Sequence, residues 1–218
     1  MILYGHPFSS YTWKVAIALG EKGLDYDFRQ LGPDQPEHQA ELAALWPLAK
    51  FPVLGDGGTA VAESSIIIEH LDLHHPGPRL IPADPVAALA VRFMDRVFDN
   101  HVMAGMQAIV NEHLPFVTPT PDQSRMARAK AALDAVYAWL EENLPEADWA
   151  CGEDFTMADC AAAPSLFYAD WTHPIPEKHP RLHAYRARLL ARPSVARAVD
   201  GARPYRHFWP LGPAPERD

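Results

Sequence analysis

The sequence predicts an α/β half followed by an all-α half. Three observations carry this. The first 75 residues alternate strand-like and helix-like patterns. The stretch from His74 to Pro85 holds Pro76, Pro78, Pro82 and Pro85 together with Gly77. Beyond it the strand signals stop. The expected organisation is therefore an α/β domain over 1–75, a linker over 76–85 and a helical domain over 86–218.

Ile2 to Tyr4 reads as a short buried strand. Trp13 to Leu19 carries Val15, Ala18 and Leu19 at helical spacing, and Gly23 supplies a helix stop. Tyr26 and Phe28 alternate with charged residues, as in a half-buried strand. Glu37 to Trp46 reads as a helix with Leu42, Leu45 and Trp46 on one face, ended by Pro47. Pro52, Val53 and Leu54 begin a strand, Asp56-Gly57-Gly58 is a hairpin turn, and Thr59 to Ala62 returns beside it. Ser64 or Ser65 is expected to cap a helix holding Ile66, Ile67, Ile68 and Leu71. The order is βαβαββα, with parallel pairing across the helical connections and an antiparallel hairpin at the end. Helices are then expected over Val86 to His113, Asp122 to Asn143 and Thr156 to Asp170, with two more between Arg181 and Asp200. The tail from Arg203 should pack across the surface.

A hydrophobic fraction of 48% in 218 residues supports a sizeable core. The net charge of -9 argues against nucleic acid and anionic membranes as partners. The arginines from Arg181 to Arg206 alternate with Leu, Ala and Val and read as a solvated helix face. Cys151 and Cys160 form no CxxC and no zinc spacing, which fits a reducing compartment. The N-terminus is strand-like rather than signal-like, and no apolar run approaches the ~20 residues of a membrane span, so a cytoplasmic location is expected.

Three segments are candidates for chemistry. In Phe8 to Val15, small hydroxyl residues lie between a strand and a helix N-terminus, where free N–H groups and the dipole favour an anion such as a thiolate. The same Ser9 or Ser10 also reads as an ordinary N-cap. In Lys50-Phe51-Pro52-Val53-Leu54, Val53 on an edge strand would offer N–H and C=O groups to an extended peptide; the plain reading is an edge strand opened by proline. In Glu63-Ser64-Ser65, a hydroxyl and free N–H suit a carboxylate, and Glu63 suits an ammonium group. Ordinary capping explains the same residues. His70 and His74 sit at i, i+4 with His75 next, a spacing that can bind metal. No third ligand of clear spacing accompanies them, and no metal is expected.

Taken jointly, Pro52-Val53 followed by Glu63-Ser64 within βαβαββα, ahead of an all-helical half, resembles the cytosolic glutathione transferases over nearly the whole chain. Ser-Ser-Tyr-Thr-Trp-Lys-Val, from Ser9 to Val15, is similar to the active-site segment of the serine-type classes, notably zeta and theta. Phe155 to Asp159 resembles the capping box of the family's buried helix, with Thr156 and Asp159 in a structural role. The resemblance implies a thioredoxin-like N-terminal domain and glutathione as co-substrate. Ser9 would donate to its sulfur, with Ser10, Phe51 and Pro52 beside it. Val53 would pair with its cysteinyl backbone, and Glu63 and Ser64 would hold its γ-glutamyl end. Lys50, and secondarily His38, would attract its glycyl carboxylate.

The resemblance also implies a two-fold homodimer in which Asp99 reaches the neighbouring subunit's glutathione. It implies a pocket for a small hydrophobic electrophile lined by Tyr11, Met103, Gln107 and Tyr168. Zeta members carry cysteine where this chain has Tyr11. Tyr4 lies near the position of the tyrosine used by other classes, but the segment after Ser9 favours Ser9. The fold also serves as a non-catalytic interaction or ligand-binding module. Retention of both the helix-start hydroxyl and the Glu63-Ser64 pair favours an enzyme.

Overall fold

The computed structural model describes residues 1–218. Its N-terminal half is a thioredoxin-like four-stranded sheet with helices. The strands are β1 (Ile2–Gly5), β2 (Asp27–Gln30), β3 (Val53–Asp56) and β4 (Thr59–Ala62), in the order β2-β1-β3-β4. α1 (Ser10–Lys22) returns the chain so that β2 lies parallel to β1. After α2 (Pro36–Leu45), β3 enters antiparallel to β1, with Tyr4 opposite Val53, so only the α1 connection, and not the α2 connection, gives the parallel pairing expected. Gly57 and Gly58 take φ of 55° and 88°, the left-handed pair that a two-residue primed hairpin turn requires. α3 (Ser64–His74) follows β4. Gly23 ends α1 in the left-handed conformation, as its sequence position predicts.

Several local expectations change. β2 is a sheet edge, so Tyr26 is half-buried while Phe28 is exposed. On α2 only Leu42 is buried; Leu45 points to solvent. Neither Ser64 nor Ser65 caps α3. Glu63 holds the cap position, with φ of 70° and no side-chain cap bond, and Ser64 is the first helical residue.

The remainder is helical: α4 (Pro85–Val97), a π-helical segment (Phe98–Met103), α5 (Ala104–Asn111), α6 (Gln123–Asn143), α7 (Met157–Thr172), α8 (Pro180–Ala191) and α9 (Pro193–Ala202). The single helix expected from Val86 to His113 is thus a rod whose middle is π-helical. A π turn holds an extra residue, which shifts the buried face along the chain. α7 is buried on every side from Met157 to Trp171 and forms the spine against which α1, α4 and the π segment pack. Its start is fixed by Asp159, which accepts the Thr156 N–H and hydroxyl at 2.8 and 3.0 Å, the Ala150 N–H at 2.8 Å and the Tyr185 hydroxyl at 2.7 Å.

The two halves are joined by buried polar links. Asp72 of α3 accepts the backbone N–H groups of Leu80 and Ile81 and pairs with Lys22 at 2.8 Å, which pins the proline-rich segment. Glu21 of α1 pairs with Arg192, between α8 and α9. The C-terminal arginines are not a merely solvated face. Arg186 meets Asp170, Arg203 and Arg206 meet Asp218, and Arg188 donates to the Asp148 carbonyl. Trp209 of the tail is buried against Trp171 and Tyr168. Both cysteines are free thiols, and burial raises their pKa, that of Cys151 to about 12. No helix is long and apolar enough to cross a membrane.

Candidate active site

Ser9 is the N-cap of α1. Its Oγ accepts the Thr12 N–H at 3.4 Å, a long and weak bond. That contact uses an oxygen lone pair and leaves the hydroxyl proton free. The cap role and donation to an anion are therefore compatible on one side chain. The turn before Ser9 is held from several directions. Trp13 Nε1–H donates to the Pro7 carbonyl at 2.6 Å, the Tyr168 hydroxyl donates to the Phe8 carbonyl at 3.0 Å, and the Phe8 N–H donates to His6 Nδ1 at 3.1 Å. Burial lowers the His6 pKa, which keeps that nitrogen unprotonated and able to accept.

Beside this turn lies a polar cleft of about 590 Å³. Lys50, Phe51 and Pro52 form one wall, Glu63 and Ser64 the next, and Tyr11 and Asp99 another. The Phe51–Pro52 peptide is cis. Glu63 occupies a conformation that side-chain-bearing residues adopt at a cost of ~1–3 kcal/mol, and its carboxylate lines the cleft. Ser64, at the N-terminus of α3, presents the hydroxyl and unpaired N–H groups of a helix start. A carboxylate acceptor beside a helix N-terminus suits an α-amino acid, and the cation of Lys50 suits a second carboxylate at the other end.

Under the cleft lies a cluster that the sequence did not reveal. Lys14 is 1% exposed, and its Nζ lies 2.5 Å from Asp95, 2.8 Å from Asp99 and 2.8 Å from Ser65 Oγ. Arg96 reaches Asp95 and Asp99, each at 2.6 Å. Two cations and two carboxylates therefore neutralise one another where a lone buried charge would cost several kcal/mol. Burial holds the Asp99 carboxyl above the usual range even so.

A second cleft of about 350 Å³ adjoins the first, and Tyr11 and Phe51 belong to both. It is mainly apolar, walled by Phe8, Met106, Val110, Tyr168 and Trp209, with Ser9, Ser10 and Gln107 as polar members. Tyr11 is partly exposed, and partial burial with Asp99 nearby raises its pKa to about 12; like an ordinary phenol it is a neutral donor near neutral pH.

The structure brings Ser9, Ser10, Tyr11, Lys50, Phe51, Pro52, Glu63, Ser64, Gln107 and Tyr168 to these two adjoining clefts; Asp99, expected to reach the neighbouring subunit's glutathione, borders this chain's own polar cleft, paired with Lys14 and Arg96. Three expected residues stand elsewhere. Val53 is 0% exposed, on a strand flanked by β1 and β4, so it has no free edge for an added peptide. The neighbouring Phe51 is 40% exposed, and its N–H and C=O bond to no other backbone group. His38 turns away and donates Nδ1–H to the Gln30 carbonyl at 2.8 Å. Met103, at the end of the π segment, is buried in the core and lines neither cleft; Met106, one turn on and also buried, borders the apolar cleft instead. Tyr4 lines neither cleft; it packs with Leu31, Leu42 and Val53 and donates to Glu41 at 3.0 Å.

Residues 3–79 match the glutathione S-transferase N-terminal domain family, and residues 123–188 match the glutathione S-transferase C-terminal domain family. The chain is 30% identical over 167 residues to a stringent starvation protein A homolog of Coxiella burnetii, covering 77% of this chain and 75% of that one. It is 29% identical over 211 residues to a probable maleylacetoacetate isomerase of Vibrio cholerae, covering 94% of this chain and 97% of that one. A solved glutathione S-transferase of Methylobacterium radiotolerans, in complex with glutathione sulfonate, has a TM-score of 0.76 and 32% identity over 91% of this chain and 93% of that chain.

Proposed function

Because this chain belongs to the glutathione transferase family, we propose that it is a glutathione-dependent enzyme whose bound thiolate attacks a small hydrophobic electrophile. The observation that carries this is the shared wall: a polar cleft and an apolar cleft meet at Tyr11 and Phe51, beside the N-terminus of α1. In this reading the tripeptide lies extended in the polar cleft. Glu63 accepts its ammonium group, the start of α3 at Ser64 receives its α-carboxylate, and Lys50 attracts the glycyl carboxylate. The main chain of Phe51, rather than Val53, pairs with the cysteinyl residue.

That placement directs the sulfur toward Ser9. The free Ser9 hydroxyl proton and the N–H groups opening α1 stabilise S⁻ over S–H, so the thiol gives its proton to solvent near neutral pH. The thiolate forms a bond to the electrophilic carbon. The displaced electron pair leaves with a leaving group, or rests on the activated double bond until it is protonated. Ser9 forms no covalent bond to the substrate. Tyr11, a neutral donor on the shared wall, is suited to an electronegative atom of the electrophile.

Glutathione titrated into the chain should give saturable heat, and an aryl halide should then be consumed with glutathione present. Absence of heat at millimolar glutathione overturns the reading. Two copies are further proposed to pair through the exposed apolar side chains of α4, Val86, Leu89 and Phe93. Sedimentation should give twice the chain mass, and Phe93→Asp should shift it toward the single chain.

A further inference from the structure

The end of β3 remote from the clefts holds a second cluster of chemically capable side chains. Asp56 Oδ2 lies 2.9 Å from His70 Nε2 and 2.6 Å from His75 Nε2. The three potential ligand atoms lie within 4.8 Å of one another on half-buried side chains. Helical spacing pairs His70 with His74, but His74 is exposed and only packs beside the His70 ring, at 4.5 Å between centroids. The chain leaves α3 at His75 with φ of -125° and ψ of 148°, and this extended turn carries His75 back to Asp56.

We propose that Asp56, His70 and His75 form a binding site for a divalent transition metal of the zinc class, with the remaining coordination position open to solvent. Two imidazoles and one carboxylate are the nitrogen and oxygen donors that suit zinc, whereas calcium and magnesium favour all-oxygen shells. The spacing is close to what a metal needs. Bonds of about 2.0–2.2 Å in a tetrahedron put ligand atoms roughly 3.4 Å apart, so the two nitrogens need to withdraw from Oδ2 by only about 0.5–0.8 Å. In the present arrangement each imidazole directs Nε2–H at the same oxygen. A metal would take the place of those two protons, which move to Nδ1 or to solvent, and no redox step is involved.

The site would clip the C-terminal end of α3 to the β3–β4 hairpin. Along β3 the site lies about 10 Å from the cleft end, at ~3.3 Å per residue, whereas on α3 His70 directly follows Glu69, which lines the polar cleft. Metal binding should therefore raise the melting temperature.

The test uses the untagged full chain, stripped with chelator and kept free of thiols, titrated with zinc chloride by calorimetry and with cobalt chloride by visible absorption. The expected result is one saturable site per chain, with cobalt bands in the visible. Asp56→Asn and His75→Ala should each weaken binding at least ~10-fold, while His74→Ala leaves it unchanged. Melting curves in chelator establish that each variant is folded; if Asp56→Asn is not, His75→Ala decides. A wild-type chain that does not saturate overturns the proposal. So does binding that is insensitive to His75→Ala, or that is lost in His74→Ala.

Discussion

The Tyr168 hydroxyl donates to the Phe8 carbonyl at 3.0 Å, and the two rings meet edge to face at 5.4 Å. The residues are 160 positions apart. This contact ties the spine helix of one half to the turn that presents Ser9 in the other.

Tyr168→Phe keeps the ring and removes only the donor, so the Phe8 carbonyl loses its partner. A stability loss of about 1 kcal/mol is expected. kcat should fall several-fold as the Ser9 turn loosens, while KM for glutathione stays near wild type, because Tyr168 lines only the apolar cleft. Faster amide exchange at Ser9 and Ser10 would identify the turn as the affected segment.

Ser9→Ala separates the two roles of that hydroxyl. Loss of a hydrogen bond to the thiolate should raise the pKa of bound glutathione and cut the rate by about tenfold to over a hundredfold, equivalent to ~1.5–3 kcal/mol. Loss of the cap should cost only ~0.5 kcal/mol, the low end of the usual range, since the bond is 3.4 Å long. The pH–rate profile distinguishes the roles: a mere cap leaves it unmoved.

Glu63→Gly should move stability and binding in opposite directions. Glycine adopts positive φ without strain, so relief at the present 70° should stabilise the chain by about 1 kcal/mol and raise Tm by roughly 2–4 °C. KM for glutathione should rise at least ~10-fold as the ammonium acceptor disappears. Glu63→Gln, which retains the strain, should raise KM with no gain in Tm.

Glu21 makes the joint between the halves acid-sensitive. Burial pushes its pKa up, but hydrogen bonds from Arg192 and Ser194 outweigh this and hold it below the ordinary 4.5. As pH falls, the unfolded chain takes up this proton before the folded chain does. The stabilisation is therefore present above 4.5 and is lost as the pH drops through the lower folded value. Denaturant unfolding should show Glu21→Gln less stable than wild type at neutral pH, with the gap closing in acid.

The sequence by itself determined the features that arise between near neighbours. Gly57-Gly58 dictates a primed turn, Ser9 sits where a helix must be capped, and Thr156 lies three residues before Asp159. Each is a bond or backbone preference spanning four residues or fewer, so its signal lies within a short window. Strand order and side-chain partners are settled by packing between distant segments. β3 became central because β1 and β4 both pair with it, which removed the edge expected at Val53. His38 found the carbonyl of Gln30, and Met103 joined the core. Lys14 met Asp95 and Asp99 about eighty residues away, and Asp56 met His70 and His75 across the hairpin. No local pattern marks such pairs, because a buried charge or an imidazole takes whatever partner the folded chain brings within reach.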